Sequence, residues 1–536
     1  MEHPELTADV AIIGAGPCGV TLANYLGLQG IDTLLLDRSP EILDYPRGVG
    51  MDDETLRSFQ GIGVAGQILE DLKIDVPLRF FTARGRMFAE FRPATREFGW
   101  PRRATFMQPH IEGKLRRNLA RFPSVRVLLG HEMTTLEQDP DGVRLGVRDP
   151  AGRTLAVRAR FVYGADGGRS DVRRAAGIRL LGDTSPVRWV VIDVKNDPLD
   201  ADYSALYCQP TRPHVCIPLP HGYRRWEFML FPHENEEEMV RPESIRRLIA
   251  PHVGDAALDI VRIRPYAHHS RLAESFGRGR VFLGGDAAHL MPPWAGQGMN
   301  SGIRDATNIA WKFAAVVRGR ADRRILESYD AERRHHAAQM INLSDTIGAI
   351  FSPTNRALAF LRDVFFLAVG RIPSIKNYVL QMRFKPMPRY VRGLVLHEPG
   401  KISKTSPVGR MFIQPQVEDR AGVRQLLDDM LGPGFALLVA GAAPALAVDN
   451  PTRRFWDDLG TRAIRVHPRG SNLPAVSQEG MFDLIDSEGL IASWMTQRGA
   501  EVVVLRPDRY VAAVGRLDQF EDITARYARL FTAAPD

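Results

Sequence analysis

A chain of 536 residues is too long for one compact core, so two or three domains are expected. Its 44% hydrophobic and 25% charged residues give the balance of an ordinary soluble globular protein. The net charge of +7 is spread along the chain, with no Lys/Arg block interleaved with aromatics, and this excludes a nucleic-acid groove.

The three cysteines, Cys18, Cys208 and Cys216, form no CxxC pair, which excludes a disulfide scaffold or a cysteine zinc site and fits a reducing cytoplasm. The N-terminal MEHPELTADVAIIG has no basic leader region. VFFLAVG at 364–370 falls far short of the ~20 apolar residues that cross a bilayer. A soluble, cytoplasmic protein is expected.

The first predicted element is a continuous apolar strand, Val10–Ile13, of the kind buried on both faces. Gly14, Gly16 and Gly19 follow with G-x-G-x-x-G spacing: one for the turn, one for backbone approach to a pyrophosphate, one for helix–strand packing. Pro17 suits the first helical turn, and the free N–H groups at that helix start face phosphates. Asp37 ends the next strand, where an acid accepts hydrogen bonds from a ribose. These features predict dinucleotide binding without choosing between FAD and NAD.

Further along, RFVYGADGGRSDVRR predicts a strand over Phe161–Ala165, a turn at Asp166-Gly167-Gly168 and a helix capped by Ser170. The stretch 186–235 alternates apolar and polar positions as antiparallel strands do. VFLGGDAAHLMPPWAGQGMN (281–300) then runs a short strand into Gly284-Gly285 and Asp286, an acceptor at the strand's carboxyl end. Helical periodicity continues through about 350, followed by a helical connector near 353–385 and a boundary at 385–410. FALLVAG, RAIRVHP and EVVVLRPDRYVAAVG close the chain as strands, the last a hairpin over RPDR.

GAGPCG, GADGGRSDVRR and GGDAAHLMPPWAGQGMNSGIRDATNIAWK together resemble the ADP-binding, Asp-Gly and Gly-Asp motifs of the single-component FAD-dependent aromatic hydroxylases, the group that includes p-hydroxybenzoate and phenol hydroxylases. DYPRGVGMDDETLR, EFGWPRRATFMQP, RRWEFMLFP and SPVGRMFIQP are similar to its 3-(3-hydroxyphenyl)propionate hydroxylase branch. The resemblance runs from residue 8 to about 515.

It implies an α/β fold: a Rossmann-like FAD-binding domain (1–185 and 271–345), with a short excursion near 75–105 into the substrate domain. An inserted antiparallel β-sheet substrate domain (186–270), a helical connector (346–395) and a C-terminal thioredoxin-like domain (396–536) without CxxC complete it. FAD would be held by Gly14, Gly16, Gly19, Asp37, Arg38, Arg47, Gln108, Asp166, Gly285, Asp286, Gly298, Met299 and Asn300. Asp286 would take the ribityl hydroxyls, and the amides of Gly298–Asn300 would face the pyrimidine end of the isoalloxazine. As in that family, NADH or NADPH would be a co-substrate that binds transiently in a groove and leaves.

The implied reaction is hydroxylation of a phenolic acid, 3-(3-hydroxyphenyl)propionate to its 2,3-dihydroxy product, with O₂ through a flavin C4a-hydroperoxide. Pro293 and Trp294 would line the reactive edge, with Trp294 either stacking on the substrate or packing. Tyr207 and His214 are candidates for the phenol, and Arg212, Arg224 and Arg225 for the carboxylate. The catalytic base is not identified. His289 is expected to be structural. His268-His269 lacks a third ligand at metal spacing, so no metal is expected. The partners are then a small aromatic phenol and O₂, with no nucleic acid or membrane, in a homo-oligomer for which a dimer is the candidate form. Hydroxylation of another phenol or a bulkier aromatic polyketide, or a flavin-binding redox sensor without turnover, are the alternatives; a halogenase is disfavoured by the lack of W-x-W-x-I-P.

Overall fold

The structure, a computed structural model, describes residues 5–382, 385–398, 403–441, 450–474, 477 and 480–532. Leu6–Ile13 lies at the centre of an eight-stranded sheet, where Val10, Ala11 and Ile12 are fully buried. Thr154–Gly164 and Thr33–Asp37 flank it, and Val281–Leu283 and Val125–Leu129 extend the sheet, so that these five strands run parallel to one another. With layers on both faces, these strands carry nearly unbroken apolar runs.

The register explains why three motifs far apart in the chain meet. Ile13 pairs with Gly164 and Leu36, and Gly164 pairs with Leu283. The strands therefore end level, and Gly14, Asp37, Ala165 and Gly284 emerge from the same edge. Helix Pro17–Leu28 and helix Gly298–Val317 both start at that edge.

A second eight-stranded sheet is built on Leu180–Lys195, Asp259–Ala273, Arg224–Leu230, His214–Pro218 and Ser204–Tyr207. Leu78–Phe81 and Met87–Phe91, from the 75–105 region, complete one side, and His289–Leu290 the other. Alternation assigns its two faces. Ile245 and Ile249 of helix Pro242–Val253 pack on Val190, Ile192, Trp226 and Phe228 outside. The inner face carries Trp189, Leu206, Val215 and Met229, packed towards Trp294 and Phe351.

Helix Ser328–Phe351 leads to helices Arg356–Val369 and Pro373–Leu380. Helix Arg356–Val369 turns its polar side inward: Arg362 donates to the Cys208 carbonyl and pairs with Asp363, while Leu358, Leu361, Val364 and Phe365 are exposed.

The C-terminal unit is a seven-stranded sheet. In it Ala436–Ala440 pairs in parallel with Arg462–His467 and antiparallel with Val502–Leu505, which forms a hairpin with Val511–Gly515. Met481–Asp486, an inner strand unmarked by the sequence reading, pairs in parallel with Arg462–His467. Buried ion pairs join this unit to the rest: Arg57 with Asp428, and Arg506 with Glu332. Among the described residues no helix is long and apolar enough to cross a membrane.

Candidate functional site

One cavity of about 500 Å³ runs from the ends of the parallel strands to the inner face of the second sheet. Gly14, Gly16, Asp37, Arg38, Arg47, Gln108, Asp166, Gly285, Asp286, Gly298, Met299, Pro293 and Trp294 line it. Leu78, Leu206, Val215, Ile217, Arg225 and Glu227 form its floor on the second sheet.

At the nucleotide end the glycines have distinct duties. Gly14 has φ +110°, and a Cβ there would lie 2.3 Å from the Ala165 carbonyl oxygen. A Cβ on Gly19 would lie 1.9 Å from the Gly14 oxygen, so this glycine, which does not line the cavity, lets the helix close on the turn. Around Gly16 the Cβ position is open within 4 Å, leaving room for a ligand against the backbone.

Asp37 takes an N–H from Ala15 at 2.6 Å and one from Ser39 at 2.8 Å, which fixes the turn beside the cavity. Gln108 Oε1 accepts the amides of Arg47 and Gly48, clamping their loop, while the Arg47 side chain stays exposed. Asp166 accepts from Ser170 Oγ and the Asp171 and Val172 amides; burial pushes its carboxyl above the usual range.

Asp286 is exposed into the cavity between buried Gly285 and Ala287, and its carboxylate has no hydrogen-bond partner among the described residues. The turn that presents it is held from behind. The Asp305 carboxylate accepts the Gly285 amide (3.1 Å) and His289 Nε2–H (2.7 Å), and pairs with Arg333 (2.8 Å). His289 is thus fully buried behind the turn, with no part in the cavity wall. Asp305 and Arg333 were not singled out from the sequence; lying in the interiors of two helices, they carry no local signal.

At the start of helix Gly298–Val317 the amides of Gly298, Met299 and Asn300 precede the first helical acceptor pair, Ser301 N–H to Gln297 O. Such unpaired donors favour negative charge. The Asn300 side chain is committed to the protein, donating to the Gly50 and Gly296 carbonyls and accepting from Thr55 Oγ1.

These residues fit FAD. There is an open backbone turn for a pyrophosphate, exposed Arg38 and Arg47 for its charge, a free carboxylate for hydroxyls, and free amides for an electron-accepting ring edge.

At the second-sheet end, Trp294 lies edge-on to Trp189 (4.7 Å) and His268 (4.6 Å). A Cβ on Gly348 would meet its Nε1 at 2.6 Å, so Trp294 is a fixed wall as well as part of the lining. Glu227 faces the cavity, accepts from Tyr266 Oη–H at 2.5 Å on Oε2, and leaves Oε1 without a protein partner among the described residues. Burial raises its carboxyl above the ordinary glutamate range. The sequence reading missed it, though it lies two positions from Arg225 in RRWEFML.

Of the five expected substrate residues, Tyr207, Arg212, His214 and Arg224 do not line the cavity, and Arg225 does. Tyr207 and His214 lie on the outer face, stacked at 4.4 Å, with His214 Nε2 bonded to His252 and burial lowering its pKa to about 3. Arg224, on the same side, is tied to Asp197. Arg212 is paired with Glu234 away from the cavity. Arg225 does line it, but its guanidinium is held by Asp193 and by the Pro46 and Arg47 carbonyls; it positions that loop and is not free for a carboxylate.

Of metal-ligand types, Asp71, His110 and His221 come within 4.8 Å of one another. Lys114 Nζ, 2.7 Å from Asp71 Oδ2, already supplies positive charge there.

Comparison with known proteins decides the family. A family model described as "FAD binding domain" matches residues 7–344, and one described as "HcaD C-terminal domain" matches 409–530. The 3-(3-hydroxy-phenyl)propionate/3-hydroxycinnamic acid hydroxylase 2 of Burkholderia vietnamiensis (strain G4 / LMG 22486) is 50% identical, covering 94% of this chain and 93% of its own. The chain belongs to this family of FAD-dependent hydroxylases. A Comamonas testosteroni relative with the corresponding hydroxylase name is 41% identical, over 98% of this chain and 97% of its own. Among solved structures, the hydroxylase shares its fold with the flavin-dependent monooxygenase PieE in complex with FAD and substrate (TM-score 0.83, 22% identity, 99% of this chain, 100% of the other). It also shares it with aklavinone-11 hydroxylase bound to FAD and aklavinone (TM-score 0.80, 22% identity, 99% and 100%). The fold is thus the mixed α/β architecture of FAD-dependent hydroxylases.

Proposed function

We propose that the hydroxylase converts 3-(3-hydroxyphenyl)propionate, or its 3-hydroxycinnamate analogue, to the 2,3-dihydroxy product, with NADH or NADPH as reductant. The observation that carries this reading is the cavity that joins the FAD-fitting turns to a mostly apolar sheet floor, on which Glu227 keeps one carboxylate oxygen open. The identity of 50% to a hydroxylase named for these acids supports the substrate.

When bound, FAD supplies the chemistry, accepting hydride from the nicotinamide and activating O₂. The chain's own residues do the rest. The backbone at Gly14 and Gly16, with Arg38 and Arg47, would hold the diphosphate, Asp286 would take the ribityl hydroxyls, and the amides at the start of helix Gly298–Val317 would favour negative charge on the pyrimidine end of the ring. Pro293, Trp294, Leu206 and Val215 wall the reacting region against water. Glu227 Oε1 takes the phenol proton, enriching the ring carbon beside the oxygen, while Tyr266 steadies Oε2.

The C-terminal unit is read as thioredoxin-like, supported by its strand order Arg462–His467, Ala436–Ala440, Val502–Leu505, Val511–Gly515. Without a cysteine beyond Cys216 it serves structure, not disulfide exchange. The outward apolar row of helix Arg356–Val369 gives the expected homo-oligomer a candidate face, which light scattering reads directly. For the activity, the test is a panel of phenolic acids: NAD(P)H oxidation rises with 3-(3-hydroxyphenyl)propionate and a dihydroxylated product appears by mass spectrometry. Stimulation only by a bulkier polyketide, or peroxide without product across the panel, would overturn the assignment.

A further inference from the structure

We infer that Arg103 is the anchor for the substrate's carboxylate. This rests on the phenolic-acid reading above and names the residue that selects for its acidic side chain.

Arg103 lines the cavity. Its Nε donates to the Val76 carbonyl at 2.9 Å and its Nη2 to Ser204 Oγ at 3.0 Å, while Nη1 has no partner among the described residues. Both partners are neutral. The other cavity-side arginines differ: Arg225 has Asp193 and Arg116 has Glu112, whereas Arg38 and Arg47 are exposed at the nucleotide end. Arg103 has no carboxylate partner among the described residues, and burial alone pushes its pKa down to about 10. A half-buried cation without an acid is partly stripped of water with no compensating charge, and an anionic ligand relieves that cost with charge-assisted hydrogen bonds.

The placement suits an aryl acid. Ala205 pairs with Cys216, so Ser204 lies beside Ile217, which pairs with Arg225. Leu206, Val215 and Glu227 form the next row on the same face. From Ser204 to Glu227 is two residues along and two strands across, about 7 Å by about 10 Å. With side chains reaching inward from each end, Arg103 and Glu227 suit the carboxylate and the phenol of one arylpropionate lying across the floor.

The test compares the acid with its neutral alcohol, 3-(3-hydroxyphenyl)propan-1-ol, in wild type, Arg103→Gln and Arg103→Lys. The acid-over-alcohol ratio of kcat/KM is expected to fall about 10–100-fold in Arg103→Gln, mostly through the acid's KM, and to recover partly in Arg103→Lys. FAD content per chain monitors folding and cofactor binding in each variant. An unchanged ratio in an FAD-loaded Arg103→Gln would overturn the proposal, and so would a loss of FAD that Arg103→Lys restores without changing selectivity, because the cation would then serve the flavin. If wild type turned over neither compound, the catalytic reading would fail by itself. Arg103 would still be judged by whether 3-phenylpropionate perturbs flavin fluorescence in wild type and about 10-fold more weakly in Arg103→Gln; equal binding would refute the anchor.

Discussion

Glu227 illustrates how a buried sheet residue becomes chemically useful. One carboxylate oxygen is occupied by Tyr266 and the other opens to the cavity, while burial raises its proton affinity. A base must be ionised to accept a proton, so kcat/KM should fall as pH drops through a value above the ordinary glutamate pKa of 4.5. Glu227→Gln is expected to lower kcat about 10²–10⁴-fold, flatten that acid limb and leave FAD bound. Steady-state pH profiles of the two proteins check this.

Asp53 makes a contrasting case. Burial, with Asp52 and Glu54 nearby, raises its pKa to about 7 despite Lys385 and Arg102, and its Oδ2 has no hydrogen bond. A carboxyl raised in the folded state stabilises below its unfolded pKa, near 3.8, and loses that contribution as pH rises towards 7. Asp53→Asn should therefore raise Tm relative to wild type by more at pH 8 than at pH 5, by scanning calorimetry. At this scale the sequence showed that 186–235 alternates, but not which parity faces the site. Both faces are apolar, one under helix Pro242–Val253 and one over the cavity, so Tyr207 and His214 gave the same signal as Leu206 and Val215.

The flavin end was far more legible, because its devices are local. A strand, a positive-φ glycine, a helix start and a terminal acid each leave a mark within a few residues, and the level ends of four parallel strands follow from pairing. The less visible part is the support behind the turns. Gly302 brings its helix so near that a Cβ would sit 3.0 Å from Gly285 Cα, and Asp305 ties Gly285 to His289 and Arg333. Gly14→Ala combines strain at φ +110° with a 2.3 Å clash on Ala165. It should abolish FAD retention, read as the flavin absorbance of purified protein. Full occupancy would mean that the turn does not seat the dinucleotide.

Across the whole molecule, the C-terminal unit is tied to the catalytic body by buried charge. Glu332 receives both Arg506 and Lys312 at 2.7–2.8 Å, all three side chains being fully buried, and Arg57 meets Asp428 bidentately. Such pairs add little over an apolar contact but are costly to break from one side. Glu332→Gln should destabilise the protein by about 3–5 kcal/mol in denaturant unfolding, and removal of 400–536 should prevent folding by leaving Glu332 and Arg57 without these partners. None of these long-range pairs leaves a pattern in the sequence, since their members lie up to 371 residues apart.

The claim on which all three scales depend is that this cavity directs one oxygen atom from O₂ onto a phenolic acid. Turnover of 3-(3-hydroxyphenyl)propionate under ¹⁸O₂ with NAD(P)H tests it most directly. A dihydroxylated acid carrying a single labelled oxygen is expected. A product with unlabelled oxygen, or reductant consumed with label recovered only in peroxide, would contradict it.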